Sequence, residues 1–420
     1  MRTSEISGFY KLSREARLKT VKEFANLSDD ELKILSSTGS LGEIGEHMIE
    51  NVVGTMPLPL GIAVNFLING KDYLIPMAIE EPSVVAAASN AAKLARIKGG
   101  FFTTSTDPLM IGQIQITNVK SPYKAKFDIY QNKNEILKMA NERDPMLVQV
   151  GGGAKDVEVR VLDTERGPMV IVHLIVDCRD AMGANAVNSM CEYIAPYLEE
   201  ITGGKVYLRI LSNLAVYRLA RATALFDKDA LGGENVVDGI IYAHLFALHD
   251  PFRCATHNKG IMNGIDAVII ATGNDWRAIE AGAHAYATIN GGYKPLTTWE
   301  KNSEGHLVGT IEVPLAVGLI GGATATHPVA KVTRKILGIK NARELAEIIS
   351  AVGLAQNFAA IKALATEGIQ RGHMELHARN IAISAGAKDD EIDRVVEVLV
   401  RDKKIRMDYA KEVLEKLRSA

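Results

Sequence analysis

The chain has 420 residues, 47% of them hydrophobic and 23% charged, with a formal net charge of -2. That length exceeds what one hydrophobic core usually supports, so two or three domains follow. The near-neutral charge excludes a protein built to neutralise a phosphate backbone, and the composition excludes a disordered or fibrous chain.

Apolar residues fall at helical spacing in SREARLKTVKEFANL and SDDELKIL, and Ser28 ahead of Asp29, Asp30 and Glu31 makes a helix start. On this pattern the first hundred residues read as helical. Glu80 to Gly100, EEPSVVAAASNAAKLARIKGG, is an alanine-rich helix ended by glycines, which sets Glu81 at its N-terminus. From Leu109 the period drops to two. IGQIQITNV, DVEVRVL and KVYLRIL alternate as strands, and PMVIVHLIVD follows a turn at Arg166-Gly167-Pro168. Helical stretches near Asn132 to Asn141 and Ala184 to Ile201 complete the order β-α-β-β-α-β of a ferredoxin-like unit. After Asn213 longer helical segments return, with Asn341 and Glu344 as a capping pair. Beyond Gly386 two amphipathic helices close the chain. The fold class is therefore α+β: a mainly helical large domain (1–108 and 216–375), an inserted small domain (109–215) and a helical C-terminal segment (376–420).

Cys178, Cys191 and Cys254 form no CxxC and no zinc-like spacing. They point to a reducing compartment and to small buried hydrophobes. The opening MRTSEISGFYKLSREARLK carries charges where a signal peptide needs its apolar core, and the apolar run Val313 to Ile320 is far short of a membrane span. A cytoplasmic location is expected.

Five stretches can carry chemistry. DAMGAN, Asp180 to Asn185, joins an apolar strand to a helix, and Gly183 lets backbone N–H groups approach an anion such as a pyrophosphate. Gly151 to Gly153 is a second site of close approach. In THNKGIMNGID, Lys259 is read as held by glycine turns and flanked by amides, suited to stabilise an oxyanion, form a Schiff base or pair with a carboxylate. Asp275, just before Trp276, either caps the helix that follows or neighbours Lys259. His373 and His377 stand one helical turn apart, but no HExxH-like acid accompanies them, so no metal is expected and a histidine acting as an acid stays open. His47, His244 and His327 have no supporting context.

Together, ENVVGTMPLPLG (Glu50 to Gly61), EEPSVVAAAS (Glu80 to Ser89), DAMGAN, THNKGIMNGID, ATGNDWRA and GIQRGHMELHARN closely resemble the 3-hydroxy-3-methylglutaryl-CoA (HMG-CoA) reductase family, in the family's order and over nearly the whole chain. The form of DAMGAN and the lack of a membrane anchor resemble its soluble second class. The resemblance implies a four-electron reduction of the HMG-CoA thioester to mevalonate and free CoA with two NAD(P)H, or the reverse. Lys259 would stabilise the oxyanion, Asp275 beside it would tune the network, His373 would protonate the CoA thiolate, and Glu81, alone or with Lys259, would supply the proton to the aldehyde oxygen.

The same resemblance places substrate contacts at Ser83, Arg253 and Asn263. It makes the inserted unit the nucleotide-binding domain, with Asp180, Ala181, Met182, Gly183, Ala184, Asn185 and Val187 near the pyrophosphate. Asp144 in NERDPMLVQVGGG matches the acid of NADH-preferring relatives. An acid there accepts hydrogen bonds from ribose hydroxyls and repels a 2′-phosphate, so NADH is expected over NADPH. A site between subunits implies a homodimer or a multiple of dimers, with no nucleic acid, membrane or metal partner. The C-terminal helices resemble a flap that closes and brings in His373. Two other readings of these residues exist. A CoA-dependent acyltransferase or lyase would use Lys259 or His373 without hydride transfer, and a helical scaffold would leave acid, cation and histidine without a task.

Overall fold

Two sheets organise the chain, which a computed structural model describes over residues 3–36, 41, 43–46, 48–51, 55–366 and 368–419. His47 and residues 52–54 of the ENVVG stretch lie outside the described residues, as do the side chains of 369–376.

The chain opens with α1 (Arg14–Ala25), α2 (Asp29–Ser36) and the single turn α3 (Glu43–Glu46), then β1 (Leu60–Ile68), β2 (Lys71–Ala78), α4 (Val84–Arg96) and β3 (Phe101–Ser105). Next come β4 (Leu109–Thr117), α5 (Pro122–Gln131), α6 (Lys133–Arg143), α7 (Pro145–Gln149), β5 (Gly153–Leu162), β6 (Met169–Asp177), α8 (Ala184–Thr202) and β7 (Lys205–Ser212). The third stretch holds β8 (Leu219–Phe226), α9 (Lys228–Leu231), α10 (Glu234–His249), α11 (Pro251–Ala271), α12 (Trp276–Tyr286), β9 (Thr297–Lys301), β10 (Leu307–Pro314), α13 (Gly322–Thr326), α14 (Pro328–Leu337) and α15 (Ala342–Ala365). A helical tail follows, α16 (Ile369–Ser384), α17 (Asp390–Arg401) and α18 (Met407–Ser419). Its buried residues, Ala378, Ala382, Val395, Leu399 and Leu414 among them, form a core of their own.

β4 to β7 make an antiparallel sheet in the order β5-β6-β4-β7, the split arrangement that the alternation implies. Gly112 is what lets α8 lie on β4. A Cβ there would stand 2.3 Å from Cys191 Sγ and 2.7 Å from Val187 Cγ1.

The second sheet corrects the helical reading of the first hundred residues. It has six strands in the order β2-β1-β3-β8-β10-β9. The β1–β2 hairpin turns at Asn69-Gly70, both at positive φ (49° and 75°). Asn-Gly is a strong hairpin signal, but the continuous apolar run LGIAVNFLI hides it because such a run fits a buried helix equally well. β8, LARATALF, looks helical by its alanines. In the sheet Ala220, Ala222 and Ala224 are a buried stripe of small side chains on which α15 lies closely.

α15 is long and apolar enough to cross a membrane by length and composition, yet most of it is buried inside the large domain. Phe358 on α15 stacks on Phe226 of β8 with ring centroids 3.8 Å apart. α11 then packs on α15 through two glycines. A Cβ on Gly264 would meet Gln356 Cβ at 2.8 Å and Val352 O at 3.2 Å, and one on Gly353 would meet Ile265 at 3.0 Å. Overpacking at such a contact costs about 1–3 kcal/mol. Gly264→Val is therefore expected to lower the midpoint of thermal unfolding by several degrees, read by circular dichroism; an unchanged midpoint would show that the two helices separate freely.

Candidate active site

The lysine stretch is helix, not glycine turns. Asp250 caps α11 by accepting from Arg253 N at 2.7 Å, Pro251 opens it, and the helix runs unbroken for 21 residues through Gly260 and Gly264. Isolated glycines survive inside a helix when packing requires them, as Gly264 does here. The amide of Asn258 is structural. Its Nδ2 donates to Lys294 O at 2.9 Å and its Oδ1 accepts from Leu296 N at 3.1 Å, which pins the strand approaching β9.

Lys259 leaves the helix on the other side and its Nζ donates to Glu81 Oε2 at 2.8 Å. Glu81 lies in the turn just before α4, so the expected helix-start position is nearly met. The lysine side chain is 59% exposed and the glutamate 35%. A pair this open contributes only about 0–1 kcal/mol to folding, so stability does not explain it. Ser83, two residues on, takes the left-handed conformation (φ 74°) and makes no capping bond despite standing at the N-cap of α4. Asn263 is one turn from Lys259 on the same face of α11, and Asp266 one turn further. Arg253, half-buried at the start of α11, makes no ion pair with a carboxylate among the described residues. Burial and the neighbouring Glu280 carboxyl push the Asp266 carboxyl well above the usual range.

Beneath Lys259 lies a fully buried network. Trp299 Nε1 and Thr297 Oγ1 both donate to Asn357 Oδ1, at 2.8 and 2.9 Å. Thr297 must therefore accept from His257 Nε2 at 2.8 Å, which makes the imidazole the neutral Nε2–H tautomer. Burial, Arg253 and His244 push the His257 pKa down to about 3. The three cysteines are free and buried, and burial pushes Cys178 and Cys191 up to about 12 and Cys254 to about 11. None is a thiolate nucleophile.

The DAMGAN loop enters α8, a helix of 19 residues whose N-cap, Gly183, has φ 108° and no side chain to satisfy the first-turn N–H groups. A Cβ on Gly183 would stand 2.4 Å from Cys178 Sγ. Ala184, Asn185 and Val187 form the first turn, with no acid to repel an anion. Asp180 Oδ1 accepts from Ala342 N at 2.8 Å, and Arg218 holds the carbonyls of Ala181 and Met182. The glycine triplet packs behind the same loop: a Cβ on Gly152 would lie 2.7 Å from Asp177 O. Asp144 caps α7 by accepting from Leu147 N at 3.0 Å and lies within electrostatic reach of Cys178, so it stands on the DAMGAN side of the small sheet.

Asp275 is not brought to Lys259 within one chain. Asp275 caps α12, accepting from Ala278 N at 3.1 Å, and sits 3.5 Å from Arg277. From Lys259 to Ala271 the helix runs twelve residues, about 18 Å at its rise per residue, and Asp275 lies beyond that end. His373 falls near the start of α16, and its side chain is outside the described residues. The polar groups that sequence reasoning passed over are Arg218, Asn274 and Gly318, which touch the DAMGAN loop or its neighbour. No residue-type signal marks them. A cavity of about 700 Å³ lies over the outer face of the six-stranded sheet beside Thr104, Arg221, Tyr286 and Glu312, and none of the expected site residues lines it.

Residues 13–378 match the profile of the family described as hydroxymethylglutaryl-coenzyme A reductase. The chain is 69% identical over 417 residues to the 3-hydroxy-3-methylglutaryl-coenzyme A reductase of Archaeoglobus fulgidus, covering 99% of this chain and 95% of that one. It is 35% identical to a probable reductase of the same description from Borreliella burgdorferi, across 100% of this chain and 98% of that one. Among solved structures it resembles the Streptococcus pneumoniae enzyme, with a TM-score of 0.84, 42% identity and coverage of 98% and 99%. A class II structure from that organism, bound to NADPH in open conformations, superposes with a TM-score of 0.83.

The buried imidazole makes folding pH-dependent. Its folded pKa lies below the unfolded value of 6.5, so the unfolded chain binds the extra proton as pH falls. Stability is then complete above about pH 6.5 and is lost towards pH 3 at about 1.4 kcal/mol per pH unit. In urea unfolding between pH 4.5 and 7, His257→Gln, which keeps a donor for Thr297, is expected to flatten that slope by about one proton; a wild-type slope in the variant would contradict the assignment.

Proposed function

Because the chain belongs to the hydroxymethylglutaryl-coenzyme A reductase family, we propose that Lys259 and Glu81 are the oxyanion-stabilising cation and the proton donor of its reaction, a reading carried by their 2.8 Å ion pair. The chain is an NAD(P)H-dependent oxidoreductase that interconverts HMG-CoA with mevalonate and free CoA in a four-electron reaction. Bound nicotinamide nucleotide supplies one hydride to the substrate in each of two reductions. The protein's task is to manage charge and protons around those transfers.

Negative charge develops on the thioester oxygen in the first reduction, and the Lys259 ammonium stabilises it. Pairing with Glu81 keeps that ammonium oriented while leaving two of its hydrogens for substrate. Expulsion of CoA is assisted when His373 protonates the sulfur, so that a thiol departs instead of a thiolate. In the second reduction the aldehyde oxygen takes its proton from Glu81, directly or through Lys259. Ser83, Asn263 and Arg253 hold the substrate, the arginine fork suiting its free carboxylate.

The residues at the start of α8 fit a dinucleotide. The N-terminus of a 19-residue helix lacks a side-chain cap, its first turn lacks acids, and Gly183 admits close backbone approach. Asp180, Ala181, Met182, Ala184, Asn185 and Val187 would hold the pyrophosphate there. The NADPH seen with the Streptococcus pneumoniae relative means that a relative of this fold admits a 2′-phosphate. Asp144, on the same side as the DAMGAN loop, is then the residue on which a preference for NADH turns. The division into a large domain (1–108 and 216–375), a nucleotide-binding domain (109–215) and a C-terminal flap (376–420), and a cytoplasmic location, belong to this reading.

A dimer completes the site. The run of about 18 Å of helix between Lys259 and the end of α11 supports a second copy of the chain as the source of the Asp275 that tunes Lys259. Mixing inactive Lys259→Ala with inactive Asp275→Ala subunits is then expected to restore up to about a quarter of wild-type turnover, since a two-fold heterodimer contains one intact site. No recovery from confirmed heterodimers would place both residues in one subunit.

Steady-state oxidation of NADH and of NADPH by HMG-CoA tests the rest. Lys259→Ala is expected to lose about 10²–10³ in kcat. Asp144→Ala is expected to move the NADH:NADPH ratio of kcat/KM about tenfold towards NADPH. Oxidation of neither cofactor by folded wild-type protein would return Lys259 to the acyltransferase or lyase reading.

A further inference from the structure

Arg218 is a cation without a role in the chemistry above. It stands one residue before β8, 5% exposed, and its guanidinium makes no ion pair with a carboxylate among the described residues. Its Nη1 donates to Ala181 O at 3.0 Å and Met182 O at 3.1 Å, and its Nη2 to Val317 O at 2.5 Å. A desolvated cation held by carbonyls alone is costly, and burial accordingly lowers its pKa. Two of the three carbonyls belong to the DAMGAN loop, and the third follows β10 in the large domain.

That second segment grips the loop along its length. Leu319 N donates to Asp180 O at 2.7 Å, and Ile320 forms a parallel bridge with Ala181. Gly318 is pressed so closely that a Cβ would lie 2.4 Å from Met182 N. Gly318 N in turn donates to Asn274 Oδ1 at 2.8 Å, and Asn274 is anchored by its Nδ2 on Thr272 Oγ1 at 3.1 Å and by its N on Ile269 O at 2.9 Å. The next residue is Asp275. A continuous hydrogen-bonded path therefore runs from the nucleotide loop to the turn that presents this acid.

We propose that Arg218 and Asn274 are positioning residues for cofactor use, Arg218 setting the DAMGAN peptides and Asn274 locking that loop to the Asp275 turn through Gly318. The inference rests on the reductase reading, which places the nucleotide at the start of α8. Its physical basis is peptide geometry. With Met182 O turned towards the guanidinium, the trans peptide directs the N–H of Gly183 away from it, on the side left for an anion. Without Arg218 those peptides lose the only side chain that holds their carbonyls among the described residues, and the anion site loses its preorganisation.

The test is direct NADH binding by fluorescence titration, with KM values for NADH and for HMG-CoA, on wild type, Arg218→Met, Arg218→Lys and Asn274→Ala. Arg218→Met and Asn274→Ala are expected to raise the Kd and KM for NADH about tenfold, equivalent to about 1.4 kcal/mol, with the KM for HMG-CoA within about twofold of wild type. Arg218→Lys, which keeps the charge but not the fork, is expected to fall between wild type and Arg218→Met. Unchanged NADH affinity in folded Asn274→Ala, or parallel losses for both substrates with no recovery in Arg218→Lys, would overturn the proposal. If Arg218→Met does not fold, Asn274→Ala and Arg218→Lys decide it. Absence of turnover in wild-type protein would count against the reductase reading instead, and NADH titration would still report on Arg218 and Asn274.

Discussion

The close crossing of α11 and α15 is the contact on which the site depends. Gly264 and Gly353 let the two backbones meet, and α15 is itself laid on the alanine stripe of β8 and stacked through Phe358 on Phe226. α11 can then carry Lys259 out of the core towards the turn before α4, where Glu81 waits. An ion pair as open as this one has little energy with which to hold its own geometry. Its geometry is inherited from buried packing, where a shift of a few tenths of an ångström is resisted by close-packed neighbours.

Polar order inside the same layer sharpens that inheritance. His257, Thr297, Asn357 and Trp299 form a chain in which each donor, and with it the His257 tautomer, is assigned by its neighbours. Asn258 ties the adjacent turn of α11 to the segment before β9. The His257 Nδ1 is left without a partner among the described residues, but the linked donors and acceptors favour one arrangement, because an alternative leaves further desolvated groups unpaired. His257 and Asn258, which precede Lys259, are therefore scaffold, and the lysine faces outward. Protonated, buried cysteines leave that outward face to the amine, carboxylate and imidazole groups.

The DAMGAN loop is set by a different device. Its helix follows from a glycine N-cap in the small sheet, but its carbonyls are held by Arg218 and its edge by residues 318–320, all from the large domain. The small sheet leads into the uncapped N-terminus of α8, and segments flanking β8 and β10 set its orientation.

What the sequence determined by itself was local. The alternation of β4 to β7, the capped helices of α2 and α15 and the motif residues follow from periodicity, capping chemistry and a distinctive order of motifs, all of which act within a few residues of chain. LGIAVNFLI and LARATALF were ambiguous because an apolar run or an alanine run satisfies helix and buried strand alike, and only the sheet that receives them decides. THNKGIMNGID looked like glycine turns because the reason for Gly264, the backbone of α15 nearly ninety residues away, is invisible along the chain. The tertiary structure alone decided that Glu81 meets Lys259 across 178 positions, that Asp275 does not meet it within one chain, and that a buried arginine with no motif of its own grips the DAMGAN loop. Those outcomes depend on distances between segments, which packing sets and local propensity does not contain.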